Sequence, residues 1–256
     1  MVVRLVERRA PRQTVAMNPV NADRVDLELM TLGYVDVAPA VLAGSGTSLH
    51  ELIQVDGSVE DHVGHLAEDL PQSGWRLVHR SPGQDDWGGS EVFAAPRVGT
   101  PDGGWAMATL SARSGGSDWI LSADPGPIRV FPGRAARRAG LSLTWPDNLT
   151  GEVGKMPELE IRCRNGTDKA WTNDRGDTAY VRGWLLDADG NPLEGSSWFA
   201  YGNGDTLPTL QPGEDVLLPV TMASYDYESL GPGRYEIAAV AVALDLRSAP
   251  GSIVMS

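Results

Sequence analysis

In "ELEIRCRN", Leu159, Ile161 and Cys163 alternate with Glu160, Arg162 and Arg164, and the same period of two returns at Val216, Leu218, Val220 and Met222. A strand turns successive side chains to opposite faces, so such runs bury one face and wet the other. Gly, Pro, Asn and Asp cluster between them, in "DADGNP", "QPGE" and "GPG", as tight turns require. "DTAYVRGWLLDADGNPLEGSSWFAYG" reads as a hairpin-like pair about "DADGNP", "RYEIAAVAVALDL" as a long strand and "SIVMS" as a short last one. From Leu141 onward the chain reads as all-β, with about seven strands at the spacing of a sandwich.

One corner in this region is specified closely. In "SLGPGRYEI", Leu230, Pro232, Gly233 and Tyr235 follow the L-x-P-G-x-Y pattern of a tyrosine corner. Pro232 fixes φ, Gly233 permits the bend, and Tyr235 needs a backbone partner upstream for its hydroxyl. Together with "LQPGEDVLLPV" and "CRNGTDKAW", residues 142–256 resemble the bacterial immunoglobulin-like and fibronectin-III-like sandwiches, including adhesion-related and BsuPI-type inhibitor modules. The resemblance implies an immunoglobulin-like fold and says little of function. It departs from antibody domains by lacking a disulfide pair. Residues 1–140 resemble no family.

The first half reads as α+β, a helix on an antiparallel meander. "SVED" from Ser58 is a variant of the capping box, and Val59, Val63, Leu66 and Leu70 form one helical stripe stopped by Pro71 and Gly74. Four strand-like runs follow, at 75–80, 90–98, 105–113 and 118–123. Trp75, Trp105 and Trp119 stand at strand starts, placed to pack under the helix. Val25, Leu27 and Leu29 alternate as a strand would, although Val25, Leu29 and Leu32 also fit a helix face; the strand is preferred. "GSGTS" at 44–48 reads as a flexible loop. "DPGPIRVFPGRAARRAG" reads as the connection between domains. The expected layout is a disordered basic tail at 1–17 (or a segment ahead of a start at Met17), an α+β domain at 18–128, a linker at 129–141 and the sandwich at 142–256.

Composition narrows the classes of function. The net charge of −13 argues against affinity for phosphate backbones, most of all in residues 141–256, where 8 Lys/Arg face 17 Asp/Glu. No apolar run reaches the length of a membrane span, so membrane insertion is not expected. No signal-peptide run opens the chain, which favours the cytoplasm and leaves surface or virion assembly open. A single cysteine, Cys163, excludes an intrachain disulfide, and its alternation predicts a buried, inert thiol.

No constellation of reactive residues stands out, and neither catalytic residues, metal ligands nor a cofactor are expected. His62 and His65 share a helix face, but no third ligand stands at a metal spacing. Asp85/Asp86 and Glu214/Asp215 sit in turns. "DADGN" at 187–191 opens like a calcium loop, yet Glu194 comes too soon for the closing ligand. "RGD" at 175–177 reads as an exposed loop, and Asn148 and Asn165 each begin an N-x-T acceptor pattern. Eight Trp leave room for aromatic contacts: Trp87, Trp171 and Trp198 are the candidate binding residues, with core packing as the alternative for each. The preferred reading is a non-enzymatic binding or assembly component whose partner is another protein or a second copy. A protease inhibitor or regulator, and an enzyme with its site in the first domain or the cleft between domains, stay open.

Overall fold

The computed structural model describes residues 3–4, 29–53, 63–81, 89–99, 103–112, 118–194, 196 and 205–256, and it is mostly β. The chain divides into two units, Met1–Ala136 and Arg137–Ser256. No described helix is long and apolar enough to cross a membrane.

The first unit contains β1 (Val3–Arg4), β2 (Met30–Leu32), β3 (Val35–Val37), β4 (Arg76–Ser81), β5 (Ser90–Pro96), β6 (Trp105–Ala112), β7 (Asp118–Ile128) and β8 (Val130–Pro132). The four runs bounded by Gly, Pro and Asp become β4–β7, paired antiparallel in sequence order. β1 adds to the edge of β7, with Val3 opposite Trp119. That strand corrects the expectation of a disordered tail at Val3–Arg4, because an edge strand offers unpaired backbone groups that any extended segment can satisfy. The rest of 1–17 lies outside the described residues.

β5 shows why "VFAA" is a continuous apolar run. Phe93 and Ala95 pack with Leu49, Ile53, Leu70 and Trp75, whereas Val92 and Ala94 pack with Leu32, Val35, Val37 and Met107. Both faces of the meander are covered, helical segments on one and the small sheet β3–β2–β8 on the other. The expectation of a single covered face is corrected accordingly. So is the linker at 129–141: β8 pairs with β2, Phe131 opposite Thr31, and belongs to the first unit. Trp75 is fully buried under the helical side and donates Nε1–H to Pro71 O at 2.6 Å. Trp105 packs on the other side, beneath the Arg76 guanidinium at 5.0 Å.

β2 and β3 meet across Gly33-Tyr34, with Gly33 at φ 56°, the positive value a two-residue hairpin needs at its first position. Val25 and Leu27 lie outside the described residues. Ser58 to His62 do too, and the Gly64–Asp69 segment beyond them is a 3-10 helix. A reciprocal capping box stands instead at Ser48 and Glu51, ahead of helix Leu49–Ile53. Glu51 N–H donates to Ser48 Oγ at 3.3 Å, and Ser48 N–H to Glu51 Oε2 at 3.2 Å. The 44–48 loop is tied down as well. Thr47 and Trp75 exchange two backbone bonds of 2.9 Å, and a Cβ at Gly46 would lie 2.2 Å from the Gly74 carbonyl carbon.

The second unit contains β9 (Leu141–Thr144), β10 (Leu149–Gly151), β11 (Leu159–Asn165), β12 (Val181–Leu186), β13 (Asp215–Met222), β14 (Gly233–Ala241), β15 (Leu246–Arg247) and β16 (Gly251–Met255). β9–β11–β13 and β12–β14–β16 are two antiparallel groups, joined where residues 181–183 of β12 run parallel to 220–222 of β13. β10 pairs parallel with β16, and β15 pairs with β14. Inward residues of both groups share one core, which includes Ile161, Cys163 and Leu218 from the first and Val181, Ile237 and Ile253 from the second. Burying each of these aliphatic side chains stabilises the fold by about 1.5–3 kcal/mol. Gly183 sits at the junction of the groups, where a Cβ would stand 2.5 Å from Val220 Cγ1 and 2.8 Å from Met222 Sδ.

Candidate functional site

The second unit is braced by residues that turn back on the chain. Leu230 is buried in the core, and the Tyr235 hydroxyl donates to Gly231 O at 2.9 Å across Pro232 and Gly233. Tyr227 does the same from a buried position, donating to Ala223 O at 2.9 Å, and burial pushes its phenol up to about 12. Nothing local marks Tyr227 in the sequence, since its partner is defined only once β13 ends at Met222.

Several residues weighed for chemistry or contact are part of this bracing. Trp171 is a core residue, 9% exposed, with its indole N–H donated to Arg137 O at 2.5 Å, so it is not available as a surface contact. The RGD tripeptide is not exposed at its acidic end. The Asp177 side chain is 1% accessible and meets Arg137 Nε at 2.9 Å and Arg175 Nη1 at 2.6 Å. Asn173 clamps the same turn, accepting from Asp177 N–H at 2.7 Å and donating to Asp177 O at 2.8 Å. Arg137 and Arg138, expected in a linker, are thereby docked onto this unit, Arg138 donating to the carbonyls of Leu244 and Asp245. Buried carboxylates keep their charge only beside such partners, which is why two guanidinium groups converge here.

Asn165 is fully buried. Its amide donates to Lys169 O and Leu210 O and its oxygen accepts from Thr167, so this acceptor pattern is a turn brace, while Asn148 is exposed. Cys163 is 1% exposed, and desolvation pushes its thiol up to about 11. Asp187 Oδ1 accepts from the N–H groups of Asp189 and Asn191, closing the "DADGN" turn on itself. Glu214 caps Gln211 N–H at 2.7 Å, and Asp215 pairs with Arg162 at 3.0 Å. His50 and His79 are exposed and belong to different elements. Among the described residues, no group of three His, Cys, Asp or Glu could hold a metal. Trp87, Trp198, His62, Asp85 and Asp86 lie outside the described residues, as does the side chain of His65.

Besides the Glu160, Arg162 and Arg164 side of β11, one outward face is formed by β12, β14, β15 and β16. Val181, Gly183 and Leu185 point into the core, which turns Arg182 and Trp184 out. Register places Trp184 beside Ala238, Arg182 beside Val240, and Val240 beside Arg247. The rows continue through Glu236 and Ser252 to Arg234 and Val254. Trp184, Ala238 and Val240 are half-buried, while Arg234, Arg247 and Val254 are exposed. The Arg182 guanidinium stands over the Tyr180 ring at 5.5 Å. The face thus sets an indole among small aliphatic residues with arginines beside it. Trp184 is not legible in the sequence, because Gly183 occupies the inward position and breaks the apolar alternation that would show which way the indole faces. Compared with known proteins, the chain matches no family model, no curated relative and no solved structure.

Proposed function

We propose that this chain is a non-enzymatic protein-binding or assembly component. Its second unit serves as an immunoglobulin-like sandwich, a rigid scaffold that presents the outward face of β12, β14, β15 and β16. The strand grouping supports the sandwich: β9–β11–β13 and β12–β14–β16, hydrogen-bonded into one sheet at β12–β13, bury side chains in one shared core, with Tyr235 bonded to Gly231 at the entry to β14. The observation that carries the binding role is the half-buried Trp184 set beside Ala238 on that face, with Arg182 and Tyr180 adjoining. Scaffold strands hold such a surface in place before a partner arrives, which limits the ordering cost of association.

The test is a pair of variants, Trp184→Ala and Arg182→Ala, in an affinity capture of the full chain. Both keep the far-ultraviolet spectrum of the parent. The role is supported if they lose the partner that the parent retains. It is overturned if they retain that partner at undiminished affinity.

A further inference from the structure

Charge is unevenly divided within the second unit. Of the charged residues in 141–256, five cations and three carboxylates lie in strands: Arg162, Arg164, Arg182, Arg234 and Arg247, with Glu160, Asp215 and Glu236. The segments of 137–256 outside the strands hold five cations, Arg137 and Arg138 among them, and fourteen carboxylates. The sheet surfaces are therefore net positive and the connections strongly negative, within a unit whose total is negative. All five strand cations are arginines, while both lysines of this span, Lys155 and Lys169, lie in connections. Arginine is the cation enriched in interfaces, because its planar fork takes a carboxylate in two bonds and sheds water more readily than an ammonium group.

Three of the five arginines, Arg182, Arg234 and Arg247, share the face that carries Trp184, where Glu236 is the single strand carboxylate and Asp245 at the edge pairs with Arg247 at 3.3 Å. We propose that this face docks the acidic connections of a second copy of the same chain. The proposal rests on the protein-binding reading above and names the partner. Two copies with this charge pattern repel in most orientations, and the approach that brings arginine rows to carboxylate-rich loops is the one with favourable charge. Trp184, Ala238 and Val240 then supply apolar area at the centre, with the arginines around them.

Sedimentation velocity of the full chain tests this, comparing the parent with the double variant Arg234→Glu/Arg247→Glu. Both side chains are exposed, so charge reversal leaves the core unchanged. The parent is expected to show an average mass that rises with concentration in about 0.05 M salt and to return to monomer in about 0.5 M, where screening is severalfold shorter in range. The double variant is expected to stay monomeric alone at low salt. It still co-sediments with parent, because its acidic connections remain intact. A parent that is monomeric at low salt overturns the proposal, as does association that survives the double reversal or a variant that no longer joins the parent. If the parent is monomeric yet Trp184→Ala still loses a different protein in the capture assay, the binding reading stands and only the identity of the partner is overturned.

Discussion

Replacing Asp177 by Asn keeps the shape of the side chain and the backbone bonds to Asn173, but removes the charge that faces Arg137 and Arg175. The Arg137 side chain is 9% accessible, so the charge it loses is a buried one at 2.9 Å, whereas Arg175 at 23% has a path to water. Removing one partner of a buried pair costs about 3–5 kcal/mol. The exit open to Arg175 and the bond from Arg137 to Ala243 O place Asp177→Asn near the low end, about 3 kcal/mol. Cys163 is the single cysteine and lies in the core of the same unit, so its reaction with a thiol reagent reports opening of that unit alone. Where reclosing outpaces labelling, the rate follows the open population. A cost of about 3 kcal/mol then makes labelling at least about a hundredfold faster in Asp177→Asn. Adding Arg137→Met to it costs less than the two single changes summed, because both changes remove the same buried ion pair. Labelling accelerated by less than about threefold would refute the assignment of Asp177 as a buried, paired carboxylate.

Other outcomes follow from the same geometry. Tyr235→Phe lowers stability by about 1 kcal/mol in a urea titration and leaves partner capture unchanged; a loss of capture without a loss of stability contradicts a purely architectural role. Gly183→Ala forces Val220 and Met222 apart and costs about 1–3 kcal/mol, read as a lower melting temperature. Glu51→Ala with Ser48→Ala removes the capping box and costs about 1 kcal/mol in the first unit, leaving the rate of Cys163 labelling unchanged. The folded Cys163 and Tyr227 hold protons up to about 11 and about 12, against unfolded values of 9.0 and 10.0. Between those values the unfolded chain has released protons that the folded chain keeps, so stability is full below pH 9.0 and falls as pH rises through 11 and then 12. Cys163→Ala removes the lower part of that alkaline loss, measured by chemical denaturation across pH; an unchanged pH profile in the variant contradicts the buried, protonated thiol.

Much of the strand pattern was legible because each run carries its own boundaries. β11 could be read from Leu159, Ile161 and Cys163 alone, and the meander from Gly, Pro and Asp between its runs. What escaped the sequence was nonlocal. Asp177 reads as the end of an exposed tripeptide until Arg137, forty residues upstream, is placed beside it. Val92 and Phe93 reveal burial, but not that one packs beneath a small sheet and the other beneath helices. The box at Ser48 and Glu51 heads a helix too short to show periodicity, whereas the stripe after Ser58 is long enough to show it. Trp184 was hidden by the glycine before it. The candidate surface was therefore less legible than the fold, since strand register decides which residues become neighbours.

The most direct measurement is hydroxyl-radical footprinting of the full chain, dilute in high salt and concentrated in low salt, with oxidation at Trp184 read relative to the exposed Tyr34 of the first unit. If the proposed face docks a second copy, Trp184 becomes protected relative to Tyr34 as the average mass rises. Trp184 oxidised equally in both states, while the mass rises, would place the contact elsewhere and contradict the account.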